Sequence, residues 1–247
     1  MKIVASYNIK GGVGKTAGAV NLAYHASRQG ARTLIWDLDP QGAASFYFRV
    51  KPKVKGGFSR FLRRRRHAME AIRGTDYEGL DLLPADFSAR HIDVLLARTR
   101  KPTRRLKRLM KELGKEYDVL YLDCAPSIGV GSEHLFDIAD VLAVPTIPTT
   151  LSVNTLKQLK KHLARRGRRA PAVLPFFSMV DERKSMHRRI CKDKRALAYD
   201  PLQARIPYSS EVERMGEHRA PLSTYAARSK PAKAYARLGD EIQAHLN

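Results

Sequence analysis

Hydrophobic and polar positions along this chain fall into short apolar runs separated by helix-spaced segments. Lys2–Tyr7 (KIVASY) is an apolar, β-branched run that ends at a glycine-rich loop. From Thr16 to Arg28 the apolar residues Val20, Leu22, Ala23 and Ala26 recur at helical spacing, and Gly30 stops the pattern. Thr33–Trp36, Leu80–Leu83, Tyr117–Leu122, Val141–Val144 and Ala172–Met179 read as further strands, with Pro84 and Pro145 closing the second and the fourth. Leu106–Leu113 predicts a basic amphipathic helix, and Leu151–Leu163 a second helix. Tyr235, Leu238 and Ile242 place one apolar face on a C-terminal helix. Near-continuous apolar strands alternating with helices predict an α/β fold: one domain, a mostly parallel twisted sheet, helices on both faces.

The 247 residues suffice for such a domain, and no internal repeat or clean boundary divides residues 1–247. Charge changes the picture more. Lys and Arg number 46 against 24 acids, a net +22. That excess implies a polyanionic partner rather than a merely soluble surface. The densest stretch, Lys51–His67, holds eight Lys/Arg and no acid, and predicts an exposed loop running into a helix. Two dispersed cysteines, Cys124 and Cys191, supply neither a disulfide framework nor a metal cluster. No apolar run reaches the ~18 residues of a membrane span, and the N-terminal run is too short for a signal peptide. The expectation is a cytoplasmic protein.

The chemistry begins at Lys10–Thr16, KGGVGKT. Glycines between a strand and a helix start let backbone N–H groups turn toward phosphate oxygens, and the helix terminus adds partial positive charge. Gly11, Gly12, Val13, Gly14 and Ala17 form the cradle, Lys15 reaches the β- and γ-phosphates, and the Thr16 hydroxyl ligates Mg²⁺. Ile9 stands where the usual first glycine would be. A rival is the dinucleotide fingerprint, since Gly12–Ala17 also fits G-x-G-x-x-A, with Asp37 ending the next strand. That reading leaves Lys10, Lys15 and Thr16 unexplained; a purely structural turn explains still less. A triphosphate site also needs an acid near the metal, and Asp123, after the apolar strand, sits at that position, with Asp37 and Asp39 ending a neighbouring strand. No glutamate follows Asp123, so Asp39 is the candidate for positioning the attacking water, and slow unassisted hydrolysis is expected.

Three motifs in order, KGGVGKT with the early Lys10, DLDPQG (Asp37–Gly42) and YDVLYLDCAPS (Tyr117–Ser127), resemble the ParA/MinD group of deviant Walker A ATPases. The ParA branch fits best, through DPQG, AIRGTDYEGLDLLPA (Ala71–Ala85) and RSKPAKAYARLGDEI (Arg228–Ile242). The resemblance implies that two subunits sandwich two ATP molecules with Mg²⁺, that Lys10 reaches across to the partner's phosphates, and that Gly11 must stay small for closure. A lysine acting only within its own chain is the simpler alternative. It also implies that Asp39 is needed for hydrolysis but not for binding, and that Ile206-Pro207 lies by the adenine.

The same resemblance implies a dimer that binds double-stranded DNA without sequence preference, is nucleoid-associated, and is released when a ParB-like or cargo-adaptor protein stimulates hydrolysis. Where the family often carries a DNA-contacting arginine after Ile-Pro, this chain has Glu211, which shifts the expected DNA surface toward Arg165, Arg166, Arg168, Arg169, Arg188 and Arg189. No N-terminal helix-turn-helix extension is expected. Two competing functions stay open: a nucleotide switch controlling a partner enzyme without DNA, and a MinD-like membrane-surface ATPase. The acid-bearing tail DEIQAHLN argues against the latter.

Overall fold

A computed structural model describes residues 1–51, 65–85, 99–126, 130–165, 170–193 and 197–246. The architecture is the expected one, a single α/β domain around an eight-stranded sheet. The first strand, β1 (Lys2–Ser6), lies in the middle. To one side stand β5 (Val119–Asp123), β2 (Thr33–Asp37), β4 (Leu80–Leu83) and the two-residue β3 (Arg73–Gly74). To the other stand β6 (Val141–Thr146), β7 (Ala172–Val180) and β8 (Arg205–Pro207). Only β3 runs antiparallel. The chain leaves β1 toward β2 and later crosses to β6 on its other side. The loop after β1 therefore opens where the connections diverge, at the carboxyl ends of the strands, the usual ligand crevice of such sheets.

Strand residues alternate between two apolar layers, as a two-sided sheet requires. Ile3, Ala5, Leu34, Trp36, Leu120 and Leu122 point to one layer, beneath α3 (Arg65–Ala71), α4 (Pro102–Leu113), α5 (Val130–Phe136) and α6 (Thr150–Ala164). Val4, Ile35, Leu82, Tyr121 and Ala143 point to the other. There they meet α1 (Lys15–Arg28), α2 (Ala43–Tyr47) and the C-terminal α11 (Lys230–Leu246), whose Tyr235, Leu238 and Ile242 are buried as their spacing required. A third cluster seats α7 (Ser185–Lys192) beside α6 on β7, through Val153, Phe177, Ile190 and Cys191.

Two expected boundaries are corrected. Pro145 does not close β6; it pairs in register with Phe176, and its carbonyl accepts a hydrogen bond from Asn8 at 2.8 Å. The fifth strand starts at Val119, not Tyr117, and takes in Asp123. Three short helices after β8, namely α8 (Ser210–Glu213), α9 (Met215–His218) and α10 (Leu222–Ala226), were not foreseen, since none is long enough to show a period. Of the basic stretch Lys51–His67, residues 52–64 lie outside the described residues, and α3 begins at Arg65.

Phe136 closes the first apolar layer, edge-on to Tyr7 at 4.9 Å between ring centroids. Phe136→Ala should cost about 3–5 kcal/mol in a denaturant titration. A loss below ~1 kcal/mol would mean that the layer collapses to fill the space.

Candidate functional site

Register builds the site. Ser6 pairs with Asp123, and Asp123 with Asp37, on three adjacent parallel strands. All three side chains therefore emerge at the same level on the face covered by α1. The loop that follows β1 is pinned from below. The Asn8 side chain donates to Pro145 O and accepts from Lys10 N at 2.9 Å, and Ser6 Oγ donates to Lys15 O at 2.8 Å. Gly12 and Gly14 have φ of 67° and 94°, a left-handed backbone that non-glycine residues rarely adopt. At Gly14 a side chain would in addition meet Ser178 Oγ at 3.0 Å.

Helix α1 starts at Gly14 with no side-chain cap and no acid in its first turn. By contrast α6, of similar length, is capped by Thr149, which accepts from Ser152 N. A 14-residue helix whose first N–H groups have no side-chain cap, opening on a glycine loop, suits an anion. Lys15, 7% exposed, folds back so that Nζ donates to Lys10 O at 3.1 Å. Burial lowers its pKa, and the nearby carboxylates of Asp123 and Asp39 oppose that shift.

The two predicted metal acids differ. Asp37 is engaged at both oxygens: Oδ2 accepts from Ser45 N and Oγ at 2.8 and 2.7 Å, and Oδ1 accepts from Asp39 N at 3.2 Å. Burial still pushes its pKa up to about 6. Asp123 is completely buried, and neither carboxylate oxygen has a hydrogen-bond partner of good geometry. Burial raises its pKa well above the usual range, the neighbouring Asp37 raises it further, and the nearby Thr16 hydroxyl and Lys15 work the other way. A buried, unsatisfied carboxylate facing a hydroxyl and a lysine fits a hard cation, which would supply the missing charge. Among the described residues no group of three His, Cys, Asp or Glu could enclose a metal alone. That suits Mg²⁺, which takes few protein ligands and keeps phosphate and water oxygens.

Asp39 is half-buried at the loop after β2, where Oδ1 accepts from Gln41 N at 2.9 Å. The Lys10 side chain is half-exposed and has no hydrogen bond or ion pair among the described residues. Gly11 is exposed, and a Cβ there would meet nothing within 4 Å. Pro207 ends β8, in register with Val180 and at the same end of the sheet. The glycine loop, Lys15, Thr16, Asp37, Asp39 and Asp123 thus converge. Arg165, at the end of α6, and Arg188 and Arg189, on α7, are exposed and lie away from them, while Arg166, Arg168 and Arg169 fall outside the described residues. Sequence reasoning missed Asn8 and Ser45. Ser45 ties Asp37 to Ala85, whose N–H donates to its hydroxyl at 2.9 Å; only the fold-back of α2 reveals this.

A family model of AAA domains (AAA_31) matches residues 1–170. The chain belongs to that family. Its motifs and relatives make it an ATPase of the ParA/MinD type. Sporulation initiation inhibitor protein Soj of Bacillus subtilis is 28% identical over 253 aligned residues, covering 99% of each chain. Chromosome partitioning protein ParA of Caulobacter vibrioides is 28% identical, covering 98% of this chain and 94% of its own. Among solved structures, cobyrinic acid a,c-diamide synthase from Mycobacterium smegmatis, with a bound ATP analogue and magnesium, superposes with a TM-score of 0.80. It is 26% identical over 100% of this chain and 96% of that one. These likenesses support a ParA-like partitioning ATPase. Among the described residues no helix is long and apolar enough to cross a membrane.

The raised carboxyls carry a pH signature. A carboxyl whose pKa rises on folding stabilises the fold fully below its unfolded pKa, about 4, and that contribution is lost as pH rises through the folded value. With Asp37 at about 6 and Asp123 raised as well, the nucleotide-free protein should melt lower at pH 7.5 than at pH 5.5. Asp123→Asn should narrow the gap in a thermal melt. A gap of equal size in the variant would place its origin elsewhere.

Proposed function

We propose that the chain binds Mg-ATP in this site, closes face to face on a second copy, holds duplex DNA without sequence preference, and so positions a cargo on the nucleoid. Hydrolysis would be stimulated by a ParB-like or cargo-adaptor protein. The observation that carries the reading is the Lys10 side chain, unpaired among the described residues at the mouth of a glycine loop that already has its own buried lysine. Two triphosphates brought together at an interface concentrate negative charge, and a lysine offered from each side offsets it.

The rim around the loop supports closure. Every exposed large hydrophobic among the described residues follows a strand's carboxyl end: Phe46 after β2, Leu151 after β6, Met186 after β7 and Tyr208 after β8. Leu151 and Tyr208 are 60% and 56% exposed. Apolar side chains collected on the face that carries the site suit a partner surface. The curated relatives named for chromosome partitioning support this cellular role.

DNA contact would use phosphates. Arg165 on α6 and Arg188 and Arg189 on α7 stand on neighbouring helices that carry no acid. Lys157, Lys161 and Lys192 add exposed positive charge there. Glu211, where an arginine was anticipated, has Arg214 at 3.8 Å, so it does not oppose DNA alone.

Three variants test the cycle by light scattering and by binding to random duplex DNA, with ATP, with ADP and with neither. Lys10→Ala should lose both the ATP dimer and ATP-dependent DNA binding. Gly11→Val should fold normally, because the space at Gly11 is open within one chain, yet fail to dimerise. Asp39→Ala should keep the ATP dimer and lose turnover by about 100-fold or more. ATP-dependent dimerisation of both Lys10→Ala and Gly11→Val would sink the trans-lysine reading.

A further inference from the structure

Helix α4 buries Leu106, Leu109, Met110 and Leu113 and turns Arg104, Arg105, Lys107, Arg108 and Lys111 outward. Arg104, Lys107 and Lys111 form one row at spacings of three and four, Arg105 and Arg108 form the row beside it, and Arg100 and Lys101 precede the helix. Among the described residues these seven side chains alone line one groove of about 760 Å³. None of them makes an ion pair among the described residues. Glu112, the one acid of the helix, has Lys115 at 2.8 Å instead. Like charges one turn apart destabilise a helix, so this comb works against its own element.

We infer that α4 is a second duplex-DNA surface, complete in one copy of the chain and independent of nucleotide. It rests on the reading of this protein as DNA-bound. The helix packs on the sheet face opposite α1, away from the phosphate loop, so neither ATP nor dimer closure is needed to assemble it. The row from Arg104 to Lys111 is about 10 Å long, a dense line of positive charge suited to a backbone bearing one negative charge per ~1.7 Å of duplex. Four arginines add the forked geometry that suits phosphate oxygens. An acidic protein segment is the poorer fit, because among the described residues no apolar side chain lines the groove to anchor one. The surface would keep the chain on DNA between cycles, when the dimer is open.

The test uses the Lys10→Ala chain without nucleotide, a random-sequence duplex, and fluorescence anisotropy at about 50 and 200 mM salt. In that background the triple variant Arg104→Glu, Lys107→Glu, Lys111→Glu should weaken binding at least 10-fold and make the salt slope shallower by about 3. The pair Arg188→Glu, Arg189→Glu should change it far less. Thermal melts check that all variants fold, as the replaced side chains are exposed. Equal binding with and without the α4 charges overturns the inference, and so does tighter capture of polyglutamate than of duplex. A wild-type chain with no ATP-dependent DNA binding would sink the partitioning cycle yet leave this nucleotide-free comparison readable.

Discussion

A carboxyl kept where water cannot reach governs this structure. Asp123 sits at the end of a central strand, wholly buried, with Asp37 one strand away and no hydrogen bond to quiet either of its oxygens. Desolvating a carboxylate is expensive, and a second carboxylate beside it raises the cost. The surroundings answer with a buried lysine, a threonine hydroxyl and a helix terminus, all from one seven-residue loop, Lys10–Thr16. The arrangement is unsatisfied until a cation arrives. A cation and phosphate held there would give Asp123 the partners it lacks, and their binding would stabilise the fold.

The sheet separates the tasks. Chemistry gathers at the carboxyl ends, on the side of α1, where three registered strands deliver Ser6, Asp123 and Asp37 together. Positive charge gathers on helices of the other layer, α4 and α6, with α7 beside α6. The apolar residues left exposed stand at the rim between, beside the loop. A net charge of +22 spread evenly would only keep a protein soluble; here part of it stands in clusters on α4, α6 and α7, while Asp37 and Asp123 are buried.

Much of the fold was legible because both of its signals are local. Strands buried on both faces must read as unbroken apolar runs, and Ile3–Ala5, Thr33–Trp36 and Leu120–Leu122 do. The phosphate loop was legible for a different reason: its glycines, lysine and threonine lie within seven contiguous residues, so spacing alone nearly fixes their geometry. Pro145 misled because a proline usually ends a strand; here β6 continues through it, and its carbonyl serves as an anchor for Asn8. The short helices between β8 and α11 carry too few residues to show a period, and tertiary contacts such as Leu222 N–H to Asn21 Oδ1 hold them.

By itself the sequence determined the α/β class, the phosphate loop, the acids that end their strands, and the excess of positive charge. Each depends on residues close together in the chain. Tertiary structure alone decided that Asp37 is satisfied by Ser45 while Asp123 is not, because hydrogen-bond partners across strands depend on register and not on spacing. It also decided which cations share a surface. Arg100 to Lys111 become one groove only when four apolar residues of α4 turn inward, since burial of one helical face dictates what the other must show to solvent.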